Sequence, residues 1–470
     1  MQGFLRYSSL MEPLRIPHPT PDMAKSAAQG VIDEIALAFQ EFPDERKPGN
    51  NRKYSVSDAA CSAFSVFFTQ SPSFLSFQRT LERSAGRSNV HSLFGIHHLP
   101  TDVQIRNILD PISPRHVAPL IQRVGEVLWE HNCLGDYRVL NGTFLLALDG
   151  TDTFSSESGI HCPACHVTRH SDGRVQHRHI AVTPALVAPE ISRVIPLPPE
   201  FVVQSDGQGK QDCEIRAASR WIDLWGPHYA PRGITLLGDD LYAHQPFCQK
   251  VKEAGFHFLF TCKLSSHPTL AEWVDDFARN QTLGTFEVVI ETSQGKPKGK
   301  RIPKVVRERW AFRFLEAVPL RDTDDALTVN WFELTVTDLE TETRLYHNSW
   351  ITDHPIPTDA LLTLARSGRA RWKIENENIQ TLKLGGYHLE HNFGHGKQHL
   401  SNLLASLNIL AFLLHTALEL LDARYRTLRF RYGSRISFFQ ELTTLLNWFL
   451  FENWDHVIAV MFAKLRVDTS

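Results

Sequence analysis

The chain has 470 residues, about three domains' worth at roughly 150 residues each. Hydrophobic residues at 42% and charged residues at 21% are ordinary for soluble proteins and exclude global disorder and fibrous repeats. With 49 Lys+Arg against 52 Asp+Glu the formal charge is −3, so no basic coat covers the whole chain and nucleic-acid contact has to use local patches.

Seven cysteines in a chain this long do not make a disulfide scaffold. The N-terminus, MQGFLRYSSLMEPLRIPHPT, shows neither a long apolar run nor a small-residue cleavage site, and reads as cytoplasmic. Residues 1–50, Pro-rich and then polar, read as a loose leader, and residues 51–140 as a helical domain. There SDAACSAFSVFFTQSPSFLSFQRTLERS spaces apolar residues by three and four, with a break near Ser71 and Pro72. PTDVQIRNILD opens on a helix start signal and puts Ile105, Ile108 and Leu109 on one stripe, with Val103 off it.

At Thr143 the character changes. TFLLALDG reads as a buried strand ending in Asp149, and HRHIAVTPALVAP and ISRVIPL as further strands. KQDCEIRAASRWIDLW reads as a helix with Ile215, Ala218, Trp221, Ile222 and Trp225 on one face. GITLLGDDLYA gives a second apolar strand, ending in Asp239 and Asp240, followed by the helix HQPFCQKVKEAG and the strand FHFLFTCK. Alternating strands and helices predict an α/β core over 141–278. Residues 279–348, with FEVVIE, RWAFRFLEAV and NWFELTVTDLE, read as a β-rich insertion. SWITD and TDALLTLARSG return the chain to the α/β pattern over 349–423, and 424–470 reads as a helical C-terminal region. The apolar run from Leu403 to Leu418 is short of the roughly 18–20 residues of a membrane span and is broken by Ser406, Asn408, His415 and Thr416. It reads as a buried core helix, with no membrane partner.

Asp149 and Asp239 end different strands, at the sheet edge where sites assemble in open α/β folds. Carboxylates converging there repel unless a cation neutralises them, and Mg²⁺ prefers oxygen ligands. The alternative is that each aspartate ends its strand or caps the next helix. In ARWKIENENIQTLKLGG, Trp372, Glu375, Ile379 and Leu382 follow 3-4-3 spacing, which predicts Glu375 on an apolar stripe. Arg371, one turn earlier, is a structural partner for it in the alternative reading.

Two basic tracts can hold phosphates and stack on bases, although a basic run by itself is more often a solvated face. One runs through Lys296, Lys298, Lys300, Arg301, Lys304, Arg307 and Arg309. The other holds Arg424, Arg426, Arg429, Arg431 and Arg435, interleaved with Tyr425, Phe430 and Tyr432. In HCPACHVTRH, His161, Cys162, Cys165 and His166 are candidate ligands of a structural Zn²⁺, the alternative being a hairpin with unliganded thiols and surface histidines. His388, His391 and His395 read as helix-start hydrogen bonders or substrate contacts, not as metal ligands.

FLLALDGT, LLGDDLY and RARWKIENENIQTLK together resemble the ribonuclease-H-like DDE transposases of insertion sequences. Asp239 and Tyr242 match an Asp-x-x-Tyr motif, and Arg371 and Glu375 match that branch's Tyr/Arg/Glu/Lys helix signature. Gly368 stands in the place of the Tyr, and Lys383 lies one residue later than the usual Lys. GYHLEHNFGHGKQHL is similar to one subgroup, and the resemblance runs from about Ser55 to the C-terminus. It implies a ribonuclease-H-like mixed-sheet core interrupted by a β-rich insertion, with Asp149, Asp239 and Glu375 as catalytic residues holding two Mg²⁺ or Mn²⁺ on one scissile phosphate.

The same resemblance implies DNA contacts from Arg371, Lys383, Lys298, Lys300, Arg301, Lys304, Arg426 and Arg429. It further implies cleavage of double-stranded DNA at terminal inverted repeats read by the N-terminal helices, joining of 3′-hydroxyl ends to target DNA, and a homodimer on DNA. A catalytically silent DNA-binding descendant and another metal-dependent nuclease on the same core are the alternatives.

Overall fold

Short apolar runs become the buried middle of a nine-stranded mixed sheet. The computed structural model describes residues 14–15, 27–47, 49, 52–81, 84–158, 160, 162, 165–203, 212–294 and 304–465. The chain divides into two units: Leu134–Thr151 with Ala181–Asn378, and Met1–Cys133 with Asp152–Ile180 and Ile379–Ser470.

The first unit carries the large sheet. In chain order the strands described here are β1 (Phe144–Ala147), β2 (Gly150–Ser156), β3 (His166–Arg169), β4 (Val175–Val182), β5 (Ala185–Ala188) and β6 (Ile191–Pro196). They continue with β7 (Ile234–Gly238), β8 (His257–Thr261), β9 (Gly284–Gln294), β10 (Lys304–Pro319), β11 (Thr328–Asp338) and β12 (Arg344–Thr352). The large sheet runs β9-β10-β11-β12-β8-β7-β1-β5-β6, while β2, β4 and β3, in that order, belong to a second, four-stranded sheet in which the short strand Glu200–Val202 also pairs with β4. In the large sheet β1 pairs in parallel with β7 and β7 with β8; the other pairings are antiparallel. Every residue of β1 and β7 is buried, which is why both read as unbroken apolar runs and not as alternating ones.

The β-rich stretch read as an insertion is continuous with the large sheet. Its four strands form an antiparallel meander, and β12 pairs with β8 through Leu259–Thr352, Phe260–Ile351 and Thr261–Trp350. The meander therefore extends the core sheet, and the expected boundary at 348/349 falls inside one continuous strand. The reason is burial: Trp350 and Ile351 are core residues, so β12 carries on into the centre of the sheet.

The second unit joins the helices expected as separate N- and C-terminal regions. Asn89 Nδ2 donates to the Leu446 carbonyl at 2.9 Å and to the Phe449 carbonyl at 2.7 Å. Ser55 caps the helix Val56–Phe68, and Thr101 with Gln104 forms a capping box on Asp102–Leu109. On the latter helix Ile105, Ile108 and Leu109 are buried and Val103 is exposed, as the spacing predicts. The helix Leu400–Leu421 is long and apolar enough to cross a membrane by length and composition, yet 94% of its apolar window is buried inside the fold.

The polar interruptions of that helix each find an internal partner for one polar atom, while Asn408 Oδ1 and His415 Nε2 have none among the described residues. Asn408 Nδ2 donates to the Tyr387 carbonyl at 2.8 Å, and the Tyr387 hydroxyl lies 2.6 Å from His415 Nδ1. Ser406 and Thr416 bond back to the carbonyls of Asn402 and Phe412. Replacing Asn408 by Leu leaves the Tyr387 carbonyl unpaired in the core, which costs about 1–3 kcal/mol. The expected result is a lower urea midpoint with an unchanged denaturant slope.

Candidate active site

The parallel register of β1 and β7 sets Ala147 opposite Leu237, and Leu148 N–H donates to the Leu237 carbonyl at 2.9 Å. Two residues beyond that pair, each strand has run out into an aspartate. Asp149 and Asp239 thus follow neighbouring strands whose backbones lie about 4.8 Å apart. The Asp149 carbonyl accepts from Thr183 N–H at 2.9 Å, which fixes the backbone as it leaves β1. Asp239 Oδ1 accepts from Leu241 N–H at 2.9 Å, so one oxygen does cap the following turn.

A fourth acid escaped the sequence reading. Glu214 opens the helix Glu214–Tyr229, and its Oε1 accepts from Gly150 N–H at 3.1 Å and from the Tyr242 hydroxyl at 2.7 Å. A Cβ on Gly150 would stand 2.3 Å from Glu214 Oε2, so the glycine after Asp149 makes room for that carboxylate. Tyr242 is fully buried, and a Cβ on Gly238 would stand 2.7 Å from its ring. The available signal was an acid at a helix start next to buried Ala217 and Ala218, a position that reads equally well as an ordinary partner of the helix dipole.

Glu375 lies in a π-helical turn, Ile374–Ile379. The wider turn changes the phase of the face, so the predicted stripe is corrected. Ile374, Asn378 and Leu382 are fully buried, Trp372 is 56% exposed and Glu375 is half-buried. Neither the oxygen nor the nitrogen of the Asn378 amide has a hydrogen-bond partner among the described residues. Arg371 Nη2 pairs with Glu375 Oε1 at 2.8 Å, the structural partnership that its spacing allows. At the place of the signature Tyr, a Cβ on Gly368 would stand 2.5 Å from Trp350 Nε1, so the indole fills the room a larger residue needs.

These acids act on one another. Burial pushes the Asp149 carboxyl up to about 7; Arg371 opposes the shift, and the charges of Glu214, Glu375 and Asp239 add to it. Burial, with the Asp239 charge, also raises Glu214 against the hydrogen bonds from Tyr242 and Gly150. The donors are all carboxylate oxygens, the set that hard divalent cations take.

Three other groups bring potential ligand atoms within 4.8 Å of one another and could hold a metal ion: Cys162, His179 and His395; Asp240, Cys262 and His267; His257, Asp353 and His354. Asp149, Asp239 and Glu375 are not drawn together to that degree, since the turn holds Asp239 and Arg371 holds Glu375.

Among the expected DNA contacts, Lys298, Lys300 and Arg301 lie outside the described residues, and Lys304 begins β10. Lys383 belongs to the helical unit and pairs with Glu390 at 2.7 Å. Arg426 Nη1 donates to the carbonyls of Glu419 and Leu420, both at 3.1 Å. Arg429 bonds Glu419 Oε1 at 3.0 Å and the Ser434 carbonyl at 3.1 Å. These two arginines brace the end of the helix Leu400–Leu421 and the buried Glu419 carboxylate. Of the aromatics in that tract Phe430 is exposed, whereas Tyr425 is buried. Of the expected zinc set, His161 lies outside the described residues, His166 sits on β3 opposite Arg178, and Cys162 falls in a metal-capable group with His179 and His395. No family model matches the chain, and no curated protein matches it.

Asp149 yields a pH prediction. Its proton is held to about 7 in the folded chain against 3.8 as the ordinary value. Between those values the folded state carries a proton that the unfolded state has lost, so stability falls as pH rises through the window, by at most about 1.4 kcal/mol per pH unit. Above pH 7 that contribution is gone. Denaturation in EDTA across pH 4 to 8 should show the decline for wild type and a flatter profile for Asp149→Asn. Gly150→Ala, by displacing Glu214, should lower the urea midpoint by an amount equivalent to about 1–3 kcal/mol.

Proposed function

We propose that this chain is a DDE-type insertion-sequence transposase on a ribonuclease-H-like core, cutting double-stranded DNA at the element's terminal repeats and joining 3′-hydroxyl ends to target DNA. The observation that carries the reading is the pair Asp149 and Asp239, side by side beyond parallel strands β1 and β7, with Glu375 near enough for its charge to raise Asp149. An oxygen-only donor set fits Mg²⁺ or Mn²⁺, which Asp149, Asp239 and Glu375 would hold. When bound, two such ions activate the attacking oxygen and stabilise the leaving one.

The chain's own residues prepare that site. Glu214 bonds both Gly150 and Tyr242, and so ties the turn after β1 to the turn after β7. It is a positioning residue for Asp149 and Asp239. Arg371 balances Glu375 and offers a planar guanidinium suited to a phosphate of the DNA. Trp372, exposed on the neighbouring position, offers a ring for an unpaired base. Two element ends have to be brought together for joining, so the acting form in this reading is a homodimer on DNA.

A donor plasmid carrying a marker between the gene's native flanking ends tests the proposal. Excision is expected with wild type and lost with Asp149→Asn and Glu375→Gln. Excision that survives Asp149→Asn removes that residue from the mechanism, and DNA-end binding without excision by wild type favours the silent descendant. Glu214→Ala is expected to lower excision about 10- to 100-fold, with Glu214→Gln, which keeps an acceptor oxygen, restoring most of it. Since Asp149 has to shed its proton to hold a cation, cleavage at fixed Mg²⁺ should fall below pH 7 by up to about tenfold per unit.

A further inference from the structure

We infer that Cys162, Cys165, His179 and His395 form a structural zinc site, which stands independently of the transposase reading. Cys165 N–H donates to the Cys162 carbonyl at 3.0 Å. His179 Nε2 lies 3.0 Å from Cys162 Sγ and 3.3 Å from Cys165 Sγ. The His395 ring crosses the His179 ring at 82° with centroids 5.0 Å apart, and its ligand atom joins those of Cys162 and His179 within 4.8 Å. Tetrahedral Zn²⁺, with Zn–S of about 2.3 Å and Zn–N of about 2.0–2.1 Å, sets S···N edges of about 3.5 Å, close to what these contacts already show.

Burial argues for a ligand in the same place. Cys165 and His179 are each 1% exposed and Cys162 is 6% exposed. Both ring nitrogens of His395 are buried without a hydrogen-bond partner among the described residues, a costly arrangement for an imidazole that ligates nothing. On binding, the two thiols release two protons and form Zn–S bonds, while each imidazole donates a lone pair. Sulfur and nitrogen donors select Zn²⁺ over Mg²⁺. The Asp240 group is less apt, because its carboxylate already accepts from Lys263 N–H and the Ser266 hydroxyl.

The site joins segments far apart in sequence. Cys162 to His179 follow β2, which starts directly after Asp149, and His395 lies between the turn bearing Glu375 and the helix Leu400–Leu421. All four residues belong to one unit, so the metal closes that unit on itself.

The test is metal content of the full-length protein, purified without chelators after expression in zinc-supplemented medium. Elemental analysis should find about one zinc per chain in wild type and in His166→Ala, and little in His179→Ala or His395→Ala. Cobalt exchanged into wild type should give the visible bands of tetrahedral Co²⁺ with sulfur charge transfer. His395→Cys, a ligand swap that keeps the site, should retain the metal and strengthen the charge-transfer band, which separates lost ligation from misfolding. Wild type without zinc, or His395→Ala with its full complement, overturns the inference.

Discussion

The sheet-bearing unit depends on the register of β1 against β7. Both strands are buried along their whole length, so alternation of polar and apolar residues cannot set that register. A buried polar chain does so at the opposite end of the strands from the acids. Thr143 Oγ1 lies 2.7 Å from Thr235 Oγ1, which lies 2.8 Å from His354 Nε2. Phe144 N–H donates to the Gly233 carbonyl at 2.9 Å, closing the same end. A slip by one residue breaks this hydroxyl chain inside the core and also separates Asp149 from Asp239. The polar anchor at one end thereby specifies the carboxylate pair at the other.

The carboxylate edge works against folding. Acids that would repel are held beside the Arg371 guanidinium, and burial first, with the neighbouring carboxylates adding to it, raises the proton affinity of Asp149. Hydrogen bonds keep the acids from swinging away: Glu214 is held by Gly150 and Tyr242, Asp239 by Leu241 and Glu375 by Arg371. Local disagreement of this kind, maintained by its surroundings, marks sites kept for chemistry more than for stability. The π-helical turn at Glu375 and the Asn378 amide, without a hydrogen-bond partner among the described residues, belong to the same pattern.

Much of this was legible along the chain, for a physical reason in each case. Asp149 and Asp239 stood out because continuous apolar runs ended on them, and the capped helix Asp102–Leu109 because its stripe and start signal agree. Glu214 was hidden because its partners, Gly150 and Tyr242, are distant in sequence. The phase at Glu375 was misread because a π-turn inserts a residue that 3.6-residue spacing does not contain. That the meander joins the core sheet was not legible, because its pairing to β8 is long-range and no local pattern records that β12 continues into the core. The bracing role of Arg426 and Arg429 was not legible, because charge is visible in a sequence whereas the carbonyls and the carboxylate they bond are not.

Burial acts in opposite directions at the two candidate metal sites. It disfavours charge at both, which keeps the Asp149 acid protonated to about 7 and the His179 base neutral down to about 4. A neutral carboxylic acid is a poor ligand and a neutral imidazole a good one. In the proposed two-metal reading, the oxygen site would have to exchange a proton at neutral pH to take a cation, so its occupancy would respond to pH and to cation concentration. In the proposed zinc reading, the sulfur and nitrogen site would need only its thiols to ionise, which a bound divalent metal promotes. The one physical effect, burial, would thus make the first site exchangeable and the second persistent.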